Sequence, residues 1–143
     1  MPISEERMIY RVGKSSLAIC REWLKRDMPA RYVFLPDLLD ELRAGYEREG
    51  DESFLSRMYF YKTVPMLVMD DLGSEKPSAW VVEKLTTIIN SRYENGLHLV
   101  VTTNRALDNL PGDVENRIGS RLRRHRLGKV VLIDDAEEYT DRR

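Results

Sequence analysis

The hydrophobic and polar positions along the chain predict helices alternating with strands. Apolar residues spaced three and four apart indicate helices, and short continuous apolar runs indicate strands. The predicted helices cover residues 14–26, 36–49, 52–61, 78–94 and 113–124. The predicted strands cover residues 31–35, 66–69, 97–102 and 130–133. Alternation of this kind is typical of an α/β domain with a mainly parallel sheet, in which ligands bind at the carboxyl ends of the strands.

Each predicted helix has an apolar face that we expect to point into the core. These faces comprise Leu17, Cys20 and Leu24; Leu38, Leu39, Leu42 and Tyr46; Phe54, Leu55 and Met58; Val81, Leu85, Ile88 and Ile89; and Val114, Ile118 and Leu122. The run Met66–Met69 lies between Pro65 and two aspartates, and it suits a strand buried on both sides. Asn95 and Gly96 are expected to end the fourth helix.

Length and composition narrow the class of protein. The chain has 143 residues, of which 42% are hydrophobic and 33% are charged, as expected for one globular domain. A single cysteine excludes a disulfide framework and fits a reducing, cytoplasmic location. The sequence contains no apolar run of transmembrane length and no visible secretory signal. With two distant histidines and one cysteine, no zinc site is expected.

The formal net charge of −1 conceals an uneven distribution. The segment Arg117–Lys129 contains six basic residues and no acidic one, so the rest of the chain is net acidic. Arg117, Arg121 and Arg124 share one helical face. Such a face could complete the nucleotide site of a neighbouring subunit, contact the phosphates of single-stranded nucleic acid, or simply be solvated.

A possible phosphate-binding loop precedes the first helix. Gly13, Lys14 and Ser15 match the end of the pattern in which backbone amides and a lysine contact phosphates and a serine ligates Mg²⁺. The pattern requires an earlier glycine where this chain has Met8, so the motif is only half present. The alternative is an ordinary glycine turn before a helix.

Polar residues follow two of the predicted strands. Asp70 and Asp71 could hold Mg²⁺ and polarise a water, or could form a polar turn that ends a buried strand. Thr102, Thr103 and Asn104 could orient the attacking water, or could cap a helix.

Several further residues have ordinary explanations. Cys20 is expected to be a small apolar core residue, and both tryptophans are expected to pack against helices. Arg92 and Tyr93 could face a partner, although arginine is favoured at the end of a helix in any case.

Taken in order, these motifs resemble the AAA+ ATPases, and within them the DnaC/DnaI helicase loaders and the related IstB transposition ATPases. The resemblance rests on Gly13–Ser15, Met66–Gly73, Asn90–Gly96, Val100–Asn104 and Arg117–Leu122, and it covers residues 13–139. It implies a P-loop NTPase three-layer sandwich in a single domain over residues 1–143. It also implies ATP and Mg²⁺ as cofactors and a homo-oligomer that acts on single-stranded DNA and a replicative helicase.

The resemblance assigns roles residue by residue. Gly13, Lys14, Ser15 and Ser16 would bind nucleotide, with Ser15 also on Mg²⁺. Asp70 would hold Mg²⁺ through water, Asp71 would polarise the nucleophilic water, and Asn104 would act as sensor 1. Arg121, or alternatively Arg117, would be the arginine finger. Arg123, Arg124 and Arg126 are predicted to bind DNA.

The sequence departs from the family pattern in two respects. Many AAA+ proteins have glutamate where Asp71 stands, and the shorter carboxylate is expected to slow hydrolysis. Only residues 1–12 precede Gly13, so we expect a degenerate N-terminus with an incomplete first strand and phosphate loop, as in a truncated chain. Residues 134–143 are expected to form a polar tail without a C-terminal lid. The alternatives are an IstB-like transposition helper and a degenerate DNA-binding domain that does not hydrolyse ATP.

Overall fold

The computed structural model describes residues 16–48, 52–73, 78–103 and 118–122. Within these ranges, helices and strands alternate as predicted. In chain order the elements are α1 (16–25), β1 (Ala30–Phe34), α2 (Leu35–Glu47), α3 (Glu52–Thr63), β2 (Met66–Asp70), α4 (Ala79–Glu94), β3 (His98–Val101) and α5 (Ser120–Leu122). No helix among them is long and apolar enough to cross a membrane. The predicted strand at residues 130–133 lies outside the described ranges.

The strands β1, β2 and β3 form a parallel sheet in that spatial order. Val68 at the centre of β2 is in register with Tyr32 of β1 and Val100 of β3. β2 is buried from Met66 to Met69, as its continuous apolar run predicts. The predicted α/β fold with a parallel sheet is therefore confirmed.

Side chains of β2 alternate between two packed faces of the sheet. Leu67 and Met69 belong to a large core shared with α2, α3 and α4, whereas Met66 and Val68 pack against Cys20 of α1. The sheet thus lies between α1 on one side and the other three helices on the opposite side, which gives three layers. Cys20 is buried in this core, as predicted.

Two helices turn a different face toward the core from the one predicted. In α1, the buried residues are Ser16 and Cys20, while Leu17 and Leu24 are 40% and 50% exposed. Helical spacing is compatible both with the predicted face, which includes Leu17 and Leu24, and with the observed face, which includes Ser16. Packing against the sheet decides which face is buried.

Helix α3 shows the same ambiguity, and its end differs from the prediction. Met58 and Tyr61 are buried, but Leu55 is 67% exposed, because the apolar residues of this helix are spread around most of its circumference and cannot all face the core. The helix continues to Thr63, two residues beyond the predicted end. Tyr46 in α2 was also predicted to be buried, but it is exposed and forms T-shaped ring contacts with Phe54 and Trp80.

Local signals fix several element ends. Pro36 lies in the first turn of α2, so Leu35 begins this helix instead of ending β1. Ser78 caps α4 by accepting a hydrogen bond of 3.2 Å from the amide of Val81. Gly96 ends the turn after α4 with a φ of +64°, which glycine adopts without strain.

The described part of the last predicted helix also packs as expected. Ile118 is fully buried in the large core, and Leu122 packs against that core. Residues 118–119 form a π-helical turn that leads into α5. Val114, the third residue predicted for this face, lies outside the described ranges.

Candidate functional site

Polar residues from β2 and β3 meet at the carboxyl edge of the sheet. Asp70 is the last residue of β2, and Thr102 follows the last residue of β3. The two strands remain in register to Met69 and Val101, so the next residue of each strand lies at the same level. The amide of Thr102 donates a hydrogen bond of 3.0 Å to the carbonyl of Met69, which continues the pairing beyond the ladder.

Both carboxylate oxygens of Asp70 accept hydrogen bonds, one from β1 and one from the residue that follows β3. The hydroxyl of Tyr32 donates to Oδ2 at 2.5 Å, and the hydroxyl of Thr102 donates to Oδ1. The carboxylate is therefore bracketed by a donor from β1 on one side and a donor beside β3 on the other.

Sequence reasoning did not identify Tyr32 as part of this site. Tyr32 is in register with Val68, two residues before Asp70, and residues two apart on a strand point to the same face. A long side chain at Tyr32 can consequently reach diagonally to Asp70. The signal in the sequence was a tyrosine at an inward position of the neighbouring strand, but it becomes informative only when the register is known.

The environment keeps Tyr32 in its hydrogen-donating form. Burial, the hydrogen bond to Asp70 and the negative charges of Asp70 and Asp71 all raise the pKa of Tyr32 well above its usual value. Its phenol is therefore protonated at neutral pH and remains a donor.

The backbone turns sharply at Asp71, directly after the strand. Asp71 has a φ of +72°, in the left-handed region that is uncommon for residues other than glycine. Its amide donates a hydrogen bond of 3.1 Å to the hydroxyl of Thr102. Leu72 then exchanges hydrogen bonds with the segment after β3, since its amide donates to the carbonyl of Thr102 at 2.8 Å and its carbonyl accepts from Thr103 Oγ1 at 2.7 Å.

These contacts join the two strand ends into one unit. Thr102 alone donates to Asp70, accepts from Asp71 and pairs through its carbonyl with Leu72. A conformation outside the common backbone regions persists only when neighbouring contacts hold it, and such positions are concentrated at functional sites.

Of the remaining predicted site residues, the described ranges include Ser16 and Arg121. Ser16 is buried at the first described position of α1, the helix that packs on the face of the sheet carrying Tyr32. Arg121 lies in α5, where only its backbone is described. The predicted residues outside the described ranges are Gly13, Lys14, Ser15, Asn104, Arg117, Arg123, Arg124 and Arg126. The roles predicted for all of these residues remain predictions.

Asp70 provides carboxylate oxygens at this edge of the sheet, which are ligands suited to a hard cation such as Mg²⁺. Among the described residues, no group of three or more histidine, cysteine, aspartate or glutamate side chains is placed to hold a metal. Mg²⁺ commonly keeps several waters and takes only one or two carboxylates together with substrate phosphates, and Asp70 fits that mode.

Comparisons with known proteins relate the chain to replication proteins. No protein-family model matches it. The sequence is 26% identical over 104 residues to the replicative helicase loader DnaI of Bacillus subtilis strain 168, covering 71% of this chain and 32% of the relative. The chain thus spans about a third of the length of that curated relative.

Solved structures give the same picture. A crystal structure of the DnaC helicase loader superposes with a TM-score of 0.64 at 27% identity, covering 87% of this chain and 73% of the other. A crystal structure of a DNA replication initiation factor also gives a TM-score of 0.64, at 22% identity, over 80% of this chain and 33% of the other, and it supports the fold alone. The resemblance predicted from the motifs is thereby confirmed, and the chain is DnaC/DnaI-like, with the α/β fold of the AAA+ P-loop ATPases.

Proposed function

We propose that this chain is an ATP-binding, DnaC-like replication ATPase that assists the loading of a replicative helicase in the cytoplasm. The observation that carries the proposal is the carboxylate of Asp70, which is held by Tyr32 and Thr102 at the carboxyl edge of a parallel sheet. Ligands of open α/β sheets bind at this edge, and a strand-terminal aspartate is suited to hold a hydrated Mg²⁺ beside phosphates.

The nucleotide would be bound mainly by Ser16 and the three residues that precede it in the sequence. Lys14 would supply the positive charge for the β- and γ-phosphates, and the amides of Gly13, Ser15 and Ser16 would supply hydrogen-bond donors. Ser15 and Asp70 would hold Mg²⁺, with Asp70 acting through water. When bound, the ion neutralises phosphate charge and orients the reacting groups.

The water-handling residues, Asp71 and Asn104, follow β2 and β3 in the sequence. Asp71 accepts a proton from the attacking water or polarises it, and Asn104 orients that water. The described turn supports this role for Asp71, because its amide is hydrogen-bonded to Thr102 and its position relative to Asp70 is therefore fixed. Arg121, with Arg117 as the alternative, would reach the γ-phosphate bound by a neighbouring copy, which makes the active form a homo-oligomer.

The expected partners follow from the relatives and the basic segment. The relatives are named as helicase loaders, so we expect this chain to bind a replicative helicase. Arg123, Arg124 and Arg126 would bind the phosphates of single-stranded DNA, and that binding should weaken steeply as salt is raised.

The experiment that tests the proposal is nucleotide binding by the purified chain. Titration calorimetry with ATP and Mg²⁺ should show saturable binding, and Lys14→Ala should weaken it by about tenfold or more, because a charge-assisted phosphate contact is lost. Lys25→Ala is the matched control, since Lys25 lies in α1 in an exposed pair with Glu22 at 3.0 Å. Equal affinity in wild type and Lys14→Ala would overturn the proposal.

A second measurement distinguishes this proposal from the degenerate DNA-binding alternative. The proposed loader should bind single-stranded DNA more tightly with ATP and Mg²⁺ than without them. Salt-sensitive DNA binding that nucleotide leaves unchanged, in a chain that also fails to bind ATP, would establish the alternative instead. A clear preference for duplex over single-stranded DNA would favour the IstB-like alternative.

A further inference from the structure

We propose that Tyr32 is a positioning residue for the divalent cation, because its hydroxyl fixes the orientation of the Asp70 carboxylate. This inference rests on the proposed function, since it assumes that Asp70 holds a hydrated Mg²⁺ beside ATP. It adds a residue from β1, a strand to which the predicted motifs assign no role in the site.

The sheet holds the Tyr32 hydroxyl in a defined place. Tyr32 lies in the middle of β1, which pairs with β2 from Ala30 through Phe34. Its side chain packs against the buried cluster formed by Cys20, Met66 and Val68. Both the backbone and the ring are therefore supported by rigid elements, so the hydroxyl reaches Asp70 from a fixed base.

Two donors constrain the carboxylate more than one donor could. Thr102 donates to Oδ1 and Tyr32 donates to Oδ2. Rotation of the Asp70 carboxylate about its Cβ–Cγ bond would therefore break at least one of these hydrogen bonds. If Tyr32 did not donate, the group could pivot about the remaining contact with Thr102. The second hydrogen bond thus defines the plane in which the carboxylate presents its free lone pairs.

The two hydrogen bonds leave lone pairs of the Asp70 carboxylate available to the waters of a hydrated ion. A carboxylate has about four lone-pair directions, two on each oxygen, and Tyr32 and Thr102 use one on each. The other directions can accept hydrogen bonds from waters coordinated to Mg²⁺. Outer-shell partners of this type orient the groups that hold the metal and contribute to its affinity.

The test separates the hydroxyl of Tyr32 from its ring. Tyr32→Phe keeps the packing against Cys20 and Val68 but removes the donor. Tyr59→Phe is the matched control, because Tyr59 is 70% exposed on α3. For each purified protein, ATP binding is measured by calorimetry across a Mg²⁺ titration and again in EDTA.

We expect Tyr32→Phe to raise the Mg²⁺ concentration for half-maximal ATP binding by about tenfold, the lower end of outer-shell effects. Affinity for ATP in EDTA should stay within about twofold of wild type, because the phosphate-binding residues are untouched. Tyr59→Phe should match wild type in both measurements. Loss of affinity in EDTA equal to the loss in Mg²⁺ would show a general structural role and would overturn the inference.

A double-mutant comparison tests whether Tyr32 acts through Asp70. In an Asp70→Asn background, Tyr32→Phe should cause no further change in the Mg²⁺ requirement, whereas an undiminished shift would contradict the inference. Tyr32→Met is a second variant without the hydroxyl, and it should show the same Mg²⁺ shift if Tyr32→Phe folds poorly in a thermal melt. A wild-type Mg²⁺ requirement retained in these variants would refute the inference.

The failure of this inference is distinguishable from that of the proposed function. If the wild-type chain shows no Mg²⁺-dependent binding of ATP, the proposed function itself is wrong. If wild type shows such binding and Tyr32→Phe gives the same Mg²⁺ titration, only the role of Tyr32 is wrong.

Discussion

The guanidinium of Arg92, in the last turn of α4, donates a hydrogen bond of 2.6 Å from Nη1 to the backbone carbonyl of Val64. The same side chain donates to the carbonyls of Tyr61 at 3.0 Å, Pro65 at 3.3 Å and His98 at 2.5 Å. Arg92 is fully buried, so the interpretation that it faces a partner is wrong. It instead ties the end of α3 and the approach to β2 to the start of β3.

Replacing Arg92 should therefore destabilise the fold strongly. Burial lowers the pKa of Arg92 to about 10, so the side chain is still charged at neutral pH. Arg92→Lys offers a compact ammonium in place of the planar fork, and unpaired buried carbonyls should lower the free energy of unfolding by roughly 2–4 kcal/mol. Urea denaturation followed by circular dichroism measures the change.

Arg57→Lys serves as the control for the loss of an arginine. Arg57 forms an exposed ion pair with Glu41 at 3.3 Å, so its replacement should change the free energy of unfolding by at most about 0.5 kcal/mol. If Arg92→Lys changed the free energy of unfolding no more than this control, the structural role assigned to Arg92 would be incorrect.

Lys84 makes a second connection among the helices on the same side of the sheet. Its Nζ lies 5.6 Å from the ring centre of Phe54 and 5.9 Å from those of Tyr46 and Trp80. The side chain is only 17% exposed. We expect Lys84→Gln to lower the free energy of unfolding by about 1–2 kcal/mol, because it removes partly desolvated cation–π contacts.

Urea denaturation of Lys84→Gln and Lys25→Gln tests this expectation. Lys25 has a side chain that is 72% exposed, and its replacement should leave the denaturation midpoint nearly unchanged. Lys84→Arg keeps the cation and should lie between wild type and Lys84→Gln. Equal midpoints for the two glutamine variants would contradict the role given to Lys84.

The order of the elements could be predicted because the spacing of apolar residues, and the residues that begin and end helices and strands, are local features of the sequence. The apolar run before Asp70 and the helix end at Asn95 and Gly96 are local signals, and the structure confirms them. The choice of buried face could not be predicted for α1, where Leu17 and Cys20 are equally compatible with helical spacing. That choice depends on which side of the helix meets Met66 and Val68 across the sheet.

The same distinction applies to the candidate site. The strand ends alone indicated that Asp70 and Thr102 would lie at one edge of a parallel sheet. The contact between Tyr32 and Asp70 depends on the register of β1 against β2, which no local pattern specifies. The role of Arg92 could not be predicted either. Its partners are backbone carbonyls distant in sequence, and every residue has a carbonyl, so no residue type in the sequence marks them as partners.

Cys20 should be an unreactive thiol in the folded protein. It is 6% exposed, and burial raises its pKa, which disfavours the reactive thiolate. We expect a thiol reagent such as DTNB to label native Cys20 at least about tenfold more slowly than the urea-unfolded chain at pH 8. Equal labelling rates with and without urea would show that the packing of α1 on the sheet is not maintained.

The left-handed backbone at Asp71 predicts that substitutions there differ in stability even where they lose the same activity. Glycine adopts a φ of +72° freely, whereas alanine is strained there, so Asp71→Gly should be more stable than Asp71→Ala by about 1 kcal/mol. Thermal melts of the two variants measure this difference. Both variants should lose ATP hydrolysis if Asp71 handles the attacking water, and Asp71→Ala as stable as Asp71→Gly would contradict the strain argument.

Two tyrosines, the buried Tyr61 and the half-buried Tyr32, should make the fold sensitive to alkaline pH. Burial, followed by the nearby charge of Glu41, raises the pKa of Tyr61, and burial and Asp70 raise that of Tyr32. Above the unfolded-state pKa near 10, the unfolded chain loses these protons while the folded chain retains them. Stability from both groups is therefore fully present below about pH 10 and is lost progressively as the pH rises toward their folded pKa values.

Replacing Tyr32 should reduce this loss. Urea denaturation midpoints measured from pH 9 to pH 11.5 should fall less steeply in Tyr32→Phe than in wild type, since each retained proton contributes a slope of about 1.4 kcal/mol per pH unit. Tyr61→Phe should reduce the slope in the same direction, and the exposed Tyr59→Phe should keep the wild-type slope. A Tyr32→Phe profile parallel to wild type would mean that Tyr32 ionises as readily in the folded state as in the unfolded chain, and the contact with Asp70 would then lack the strength assigned to it.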